Sequence, residues 1–318
     1  MKRELVNEVI EVFSDRRRVF YYFKDRYCLD LIELEMLRRG VDRITISELK
    51  SGKMARYLNK PSVSQILGLL GTGVIHREVI PLLGPVDRIP FTLGFSCWGN
   101  GERGWDQTSR NQSNLVLQLN FDGGHDQSYQ CLVRPTDRYG PFESWCHPVS
   151  RTTRKTLAWV RMDIDFETDE VLIEEVQNDW LRDARSTLQR IERRIARTPT
   201  LKPRDINSDI DGSLENLREY VGVTLKPFEA IWAEAAMLAA IRFVKDELGI
   251  SNIYYHSFET GKKLKGGCGN PPRSIYSKLP KEFGFDSTSE APALLANHRF
   301  ARRCLKAIKG PSWYYMKV

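Results

Sequence analysis

Apolar residues along this chain change their period more than once. Val6, Val9, Ile10 and Phe13, then Leu31, Leu34 and Leu37, recur at helical spacing, which predicts helix through residues 3–39. Two shorter helical pieces follow in "DRITISELKSGKMARYLNKPSVSQILGLLG", with Ser47 read as an N-cap and Pro61 opening a first turn. From Ile89 the texture changes. "PFTLGFSCWGNGERGWDQTSRNQ" is rich in glycine and polar residues around Trp98 and Trp105. Four short β-branched or aromatic runs come next: "SNLVLQLNF", "SYQCLVR", "TLAWVRMDID" and "EVLIEEVQND". Each is bounded by turn signals such as "DGGHD" and "ETDE", so they predict an antiparallel meander.

The helical period then returns in "WLRDARSTLQRIERRIARTP", ended by Pro199, and after the loop "LKPRDINSDIDGS" in "KPFEAIWAEAAMLAAIRFVKDELGI". That second helix has Pro227 near its start and Gly249 as its left-handed stop. Its apolar residues (Ile231, Trp232, Ala235, Leu238, Ala239, Ile241, Phe243, Val244) run almost all round, which predicts burial against a sheet. "NIYYHSF" reads as a parallel strand reached by this crossover. "PPRSIYSKLPKEFGF" and "APALLANHRFARRCLKAIK" read as helices and "SWYYMKV" as a final strand. The expectation is an α/β fold: a mixed, mostly antiparallel sheet with flanking helices over 100–318, an arginine-rich insertion at 180–225, and a helical N-terminal domain over 1–88.

The order of a meander, a buried helix, a parallel strand and a helix ending in Gly-Phe resembles the GNAT N-acetyltransferases from about Ser113 onward. "VLIEEVQND" is similar to that family's fourth strand, "NIYYHSF" to its fifth, and "SIYSKLPKEFGF" to the helix ending in Gly-Phe. The resemblance implies an acyltransferase-like enzyme with acyl-CoA in a gap between the splayed fourth and fifth strands. Its pyrophosphate would rest on the N-terminus of the intervening helix, which favours an anion through its free N–H groups and dipole. Lys226, Phe228 and Arg273 are the cofactor-binding residues this implies. The family's glycine-spaced phosphate loop is replaced here by the arginine-rich insertion. Pro280 takes the place of the family's catalytic tyrosine, with Tyr276 one turn upstream. "EEVQNDW" also resembles a signature of phage-associated polyvalent proteins.

Composition narrows this picture only a little. The chain has 318 residues, 41% hydrophobic and 28% charged, which is globular rather than disordered. No apolar run reaches the roughly 18 residues of a membrane span, and the N-terminus carries no signal-peptide core. Six scattered cysteines without zinc-like spacing fit a reducing, cytoplasmic setting and give no metal site. The net charge of +7 fits an anionic partner, nucleic acid or a phosphorylated cofactor.

Candidate chemistry concentrates at the end of "EVLIEEVQNDW". Alternation places Glu175 and Gln177 on one strand face with Ile173, and Glu174 on the other with Leu172 and Val176. A partly buried carboxylate there can accept a proton; equally, Glu174 and Glu175 can be structural partners of arginines. His256 is read as a base facing Glu175 or as a buried structural histidine, while His125 and His147, in turns, are read as surface. Asp163 or Asp165 with Glu175-Val176-Gln177 also resembles the Mg²⁺-dependent layout of restriction-endonuclease-like nucleases, with Gln177 in place of the lysine. Arg190, Arg193 and Arg194, in a stripe of six arginines running from Arg182 to Arg197, can track phosphates; on that reading the chain is a non-enzymatic nucleic-acid-binding module. Lys50, Lys53, Arg56 and Lys60 offer the same chemistry in a conceivable helix-turn-helix, with a small bundle and solvated basic face as the plainer reading. The basic glycine loop after His256 can wrap an anion, and Cys268 within it is a weak nucleophile candidate.

Overall fold

A computed structural model describes residues 1–14 (Ser14 by its backbone alone), 18–99, 107–137, 140–144, 146–150, 152, 154–265 and 272–318. Trp105, Cys268 and the glycines of 266–269 lie outside the described residues. The strands are β1 (Arg18–Tyr22), β2 (Arg43–Thr45), β3 (Val74–His76), β4 (Ile89–Trp98), β5 (Asn114–Asn120), β6 (Thr156–Asp165), β7 (Glu170–Gln177), β8 (Asn252–His256), β9 (Asp286–Thr288) and β10 (Trp313–Lys317). Eight of them form one sheet in the order β1-β4-β5-β6-β7-β8-β10-β9, and β2 pairs with β3 apart from it. Within the large sheet only β7 and β8 are parallel. The fold is therefore mixed α/β with a mostly antiparallel sheet.

The N-terminal helices are α1 (Arg3–Ser14), α2 (Arg26–Arg39), α3 (Ile46–Lys50), α4 (Ala55–Leu58) and α5 (Pro61–Gly68). After β5 come α6 (Gly123–Leu132), α7 (Trp180–Arg197), α8 (Pro203–Ile206), α9 (Leu214–Glu219) and α10 (Lys226–Arg242). Around the last strands lie α11 (Phe258–Lys265), α12 (Arg273–Glu282), α13 (Ala293–Ala296) and α14 (Arg299–Lys306). No helix among the described residues is long and apolar enough to cross a membrane.

The long α10 packs on β1, β5, β6 and β7, and Ile231, Ala235, Leu238, Ala239 and Ile241 are buried there. A π-turn over Phe243–Glu247 unwinds its end, and Gly249, at φ 66°, takes the left-handed conformation that a side chain would disfavour. One core cluster runs from Val6 and Phe20 through Leu117 and Ile173 to Phe283. A smaller one, Leu172, Leu264, Leu294, Leu295, Ala301 and Trp313, sits beneath α11, α13 and α14.

Several elements differ from the sequence expectation, each for a local reason. Residues 18–22 are a strand, not helix, because they pair antiparallel with β4 and continue the sheet. The N-terminal segment shares the main core, and buried Glu234 of α10 accepts hydrogen bonds from Lys24, Tyr22 Oη (3.1 Å) and the Asp25 amide (3.2 Å). "SYQCLVR" falls largely in α6: Asp122 caps that helix by accepting from the His125 amide, and His125 and Tyr129, one turn apart, both enter the core. The meander instead begins with β4, in the glycine-rich stretch. Thr45, rather than Ser47, caps α3, because Glu48 returns the hydrogen bond in a capping box.

Candidate functional site

β7 and β8 pair only from Glu170 with Asn252 to Ile173 with Tyr255. β8 ends one residue later while β7 runs on to Gln177, so the two strands part. At this point β7 also carries a bulge: Met162 faces Ile173, but the next residue of β6, Arg161, faces Glu175. Glu174 is the extra residue. Val171, Ile173 and Val176 therefore all enter the main core. Glu175 and Gln177 share their face with Leu172 rather than with Ile173, which corrects the simple alternation.

The gap opens into a cavity of about 940 Å³. The end of β7 supplies Glu175 and Gln177 to its wall, α7 Arg182 and Arg185, α10 Glu229 and Trp232, α11 Lys262 and Lys265, and α12 Tyr276; Gln107 and His147 close it from loops.

Behind the wall lies a buried polar cluster. Glu174, His256 and Ser109 are fully buried. Glu174 accepts from the Ser109 amide and hydroxyl, both at 2.9 Å, and from His256 Nε2 at 3.1 Å. The Ser109 hydroxyl is also 2.8 Å from the same His256 nitrogen. A nucleophilic triad needs serine and carboxylate on opposite ring nitrogens; here both crowd Nε2, and Nδ1 has no partner among the described residues. His256 thus faces Glu174 rather than Glu175. Lys265 donates from Nζ to the Glu174 carbonyl at 2.8 Å, capping a backbone acceptor that the departing β8 leaves free.

Burial pushes the Glu174 carboxyl up, but the His256 hydrogen bond and charge, then Lys265 and Arg161, outweigh it and hold the group at about 2. Burial pulls His256 below its ordinary value, more strongly than Glu174 raises it. The coherent state is an ionised Glu174 and a neutral His256, because the Ser109 donors and the nearby cations satisfy the carboxylate without an imidazolium. Burial likewise lowers Lys265 and raises the Tyr276 hydroxyl, which is buried at the cavity wall with no hydrogen-bond partner among the described residues.

Facing the cavity, Glu175 pairs with the buried Arg161 at 2.8 Å. Gln177 donates to Asp179 Oδ1 at 2.6 Å. Asp179 also receives Arg182 at 2.7 Å and, at 2.5 Å, His147 Nδ1. Burial raises the Asp179 carboxyl, but His147, Gln177 and Arg182 together bring it below its usual range. Asp179 therefore fixes the His147 ring through Nδ1 while His147 lines the cavity, and no described residue hydrogen-bonds Nε2. An oriented imidazole with one ring nitrogen free is suited to take a proton.

His147 is thus a cavity residue, not a surface one, which corrects the sequence reading. His125 is corrected too: it is buried, stacked on Phe121 (centroids 3.4 Å apart) and hydrogen-bonded to Tyr220 at 2.9 Å. Of the other sequence candidates, Phe228 belongs to that same aromatic core rather than to the cavity wall. Lys226 and Arg273 are exposed outside the lining, Arg273 lying 3.7 Å from Glu259. Arg190, Arg193 and Arg194 are exposed along α7. Asp163 and Asp165 both bind Arg110, at 2.6 and 2.8 Å, and no described group of three His, Cys, Asp or Glu side chains has the spacing to hold a metal. Sequence reasoning missed His147, Arg161, Ser109 and Lys265, whose partners are distant in the chain. The spacing of Val171, Ile173 and Val176, two and then three, was the available signal of the bulge.

Comparison with known proteins returns no matching family model, no matching curated protein and no matching solved structure.

Proposed function

We propose that this chain is an acyltransferase-like enzyme, GNAT-like in architecture, that binds acyl-CoA and an acceptor in the cleft where β7 and β8 part. The observation that carries the reading is that parting: a parallel pair, joined through the buried α10, opens into a cavity of about 940 Å³ at the strands' carboxyl ends. Ligands of open α/β sheets bind at such ends.

The lining fits the group. Arg182, Arg185, Lys262 and Lys265 offer cations for phosphate oxygens, and Trp232, Phe258 and Ile275 offer apolar contact for a pantetheine chain. When bound, acyl-CoA supplies an activated thioester. His147 Nε2 takes the proton from the acceptor's amine or hydroxyl, and Asp179 holds the ring and balances the charge it acquires. Glu175, anchored by Arg161, offers its carboxyl group to the acceptor. Tyr276, its hydroxyl proton retained by burial, is the hydrogen-bond donor at the inner wall.

Trp232 makes the test direct. Titration with acetyl-CoA should change its fluorescence saturably, and Arg185→Glu with Lys262→Glu should weaken that binding at least tenfold. No saturable change up to millimolar acetyl-CoA defeats the reading. The second reading, a nucleic-acid-binding module, draws on Arg190, Arg194 and Arg197, which are exposed and have no ion pair among the described residues. The Mg²⁺-nuclease reading has less support, since the aspartates it needs are engaged by Arg110.

A further inference from the structure

α14 carries a second basic surface, separate from the cleft and from α7. Arg299, Arg302, Arg303 and Lys306 recur at spacings of three and four, so they share about a third of the helix circumference. All four are exposed, and none lies within ion-pair distance of a described carboxylate. Four like charges over two turns repel one another, and no described carboxylate pairs with them; the helix dipole favours only Arg303 and Lys306, in the last turn.

The opposite side of α14 is anchored. Ala301 is buried, and Cys304 and Leu305 pack on the cluster of Leu172, Leu264, Leu294 and Trp313. The cations therefore stand on a fixed platform rather than on a mobile tail. Between them is a groove of about 470 Å³ lined by His298, Arg299, Phe300, Arg302, Arg303 and Lys306. Phe300 is half-buried in it, with the Arg303 guanidinium 5.9 Å from its ring centroid.

We infer that the α14 groove is a binding site for a single strand of nucleic acid, its phosphates on Arg299, Arg302, Arg303 and Lys306 and a base on Phe300. Cations interleaved with an aromatic ring are the chemistry that tracks a backbone while stacking a base. An anionic membrane is the poorer match, because an interfacial helix turns its apolar face outward, whereas that of α14 is buried in the protein.

The test uses the full chain and a fluorescein-labelled oligothymidylate, read by anisotropy at several salt concentrations, with a duplex and anionic phosphatidylserine vesicles as comparisons. The expected result is saturable binding, tighter for the single strand than for the duplex. Reversing Arg299, Arg302 and Arg303 to Glu should weaken it at least tenfold and flatten the salt slope by about 2, since each phosphate contact on a single strand contributes about 0.7. Phe300→Leu, which keeps the charge, should cost about tenfold through lost stacking. Melting temperature and circular dichroism establish that the variants are folded. The inference is overturned by absence of oligothymidylate binding at low salt, by unchanged binding in the folded triple variant, or by preference for duplex or vesicles. It is also overturned if reversing Arg190, Arg193 and Arg194 abolishes binding while the α14 variant keeps it.

Discussion

The two ends of β7 present the same residue type in opposite circumstances. At the start, Glu170 is buried and accepts from the amides of Ala293 and Leu294, at 3.0 and 2.8 Å. Both of its oxygens serve the first turn of α13, and the strand there is paired on both sides. At the far end, Glu174 and Glu175 are met by His256, Ser109 and Arg161, at the edge of a cavity and beside a neighbour that has turned away. Glu170 is fastened to the start of a helix by two backbone amides, whereas Glu174, though it too accepts one amide, from Ser109, is held mainly by side chains, and Glu175 by Arg161. The partner set, more than burial, separates them.

The sharpest way to break the comparison is at the cavity. His147→Gln should lower acyl transfer by roughly 10²–10⁴-fold, the usual contribution of a general base, with acetyl-CoA affinity and melting temperature nearly unchanged. Full turnover in that variant would remove His147 from the chemistry.

Next in size is the counter-cation. Arg161→Met leaves Glu175 facing an apolar side chain, and losing one partner of a buried pair costs about 3–5 kcal/mol. Glu170→Gln at the other end keeps an acceptor for one of the two α13 amides and leaves the other facing an amide donor, which should cost about 1–3 kcal/mol. Denaturant melts of the two variants measure the difference; equal losses would mean that the two ends are held alike.

Acid should probe the far end more gently. His256 is held below its ordinary 6.5, so the unfolded chain binds the extra proton first and stability falls as pH drops below about 6.5. Glu174, at about 2 against an ordinary 4.5, contributes stability that is present above 4.5 and lost between 4.5 and 2. Melting temperature against pH should therefore fall in two stages. Glu174→Gln should flatten the lower stage, and His256→Gln, which also removes the hydrogen bond and charge that hold Glu174 down, should flatten both.

Much of the frame was legible because its signals are local. The β-branched run of β7, the alanine-rich period of α10 and the left-handed Gly249 each need only their own neighbours, and so did the expectation that the acids at the end of β7 edge a cleft. α6 was misread because Tyr129, Cys131 and Val133 also alternate, and only the Asp122 cap and the aromatic core settle the period. β4 was passed over because glycine and polar residues hide a strand whose reason is its two neighbours. His147 had no local mark at all: its role comes from Asp179, 32 residues on. The cations of α14 were visible as letters, but their isolation from carboxylates is a tertiary fact.

The bulge at Glu174 has one further meaning. Strike that residue out and Glu-Val-Leu-Ile-Glu-Val-Gln alternates without fault: Val171, Ile173 and Val176 still face inward, and Leu172, Glu175 and Gln177 still face out. The alternation of the sheet has no need of Glu174, whose hydrogen-bond partners among the described residues include Ser109, His256 and Lys265. A sheet strand and the anchor of a buried polar cluster are here written in one segment and differ in length by a single letter, so the alternation can be kept while that cluster is added or taken away.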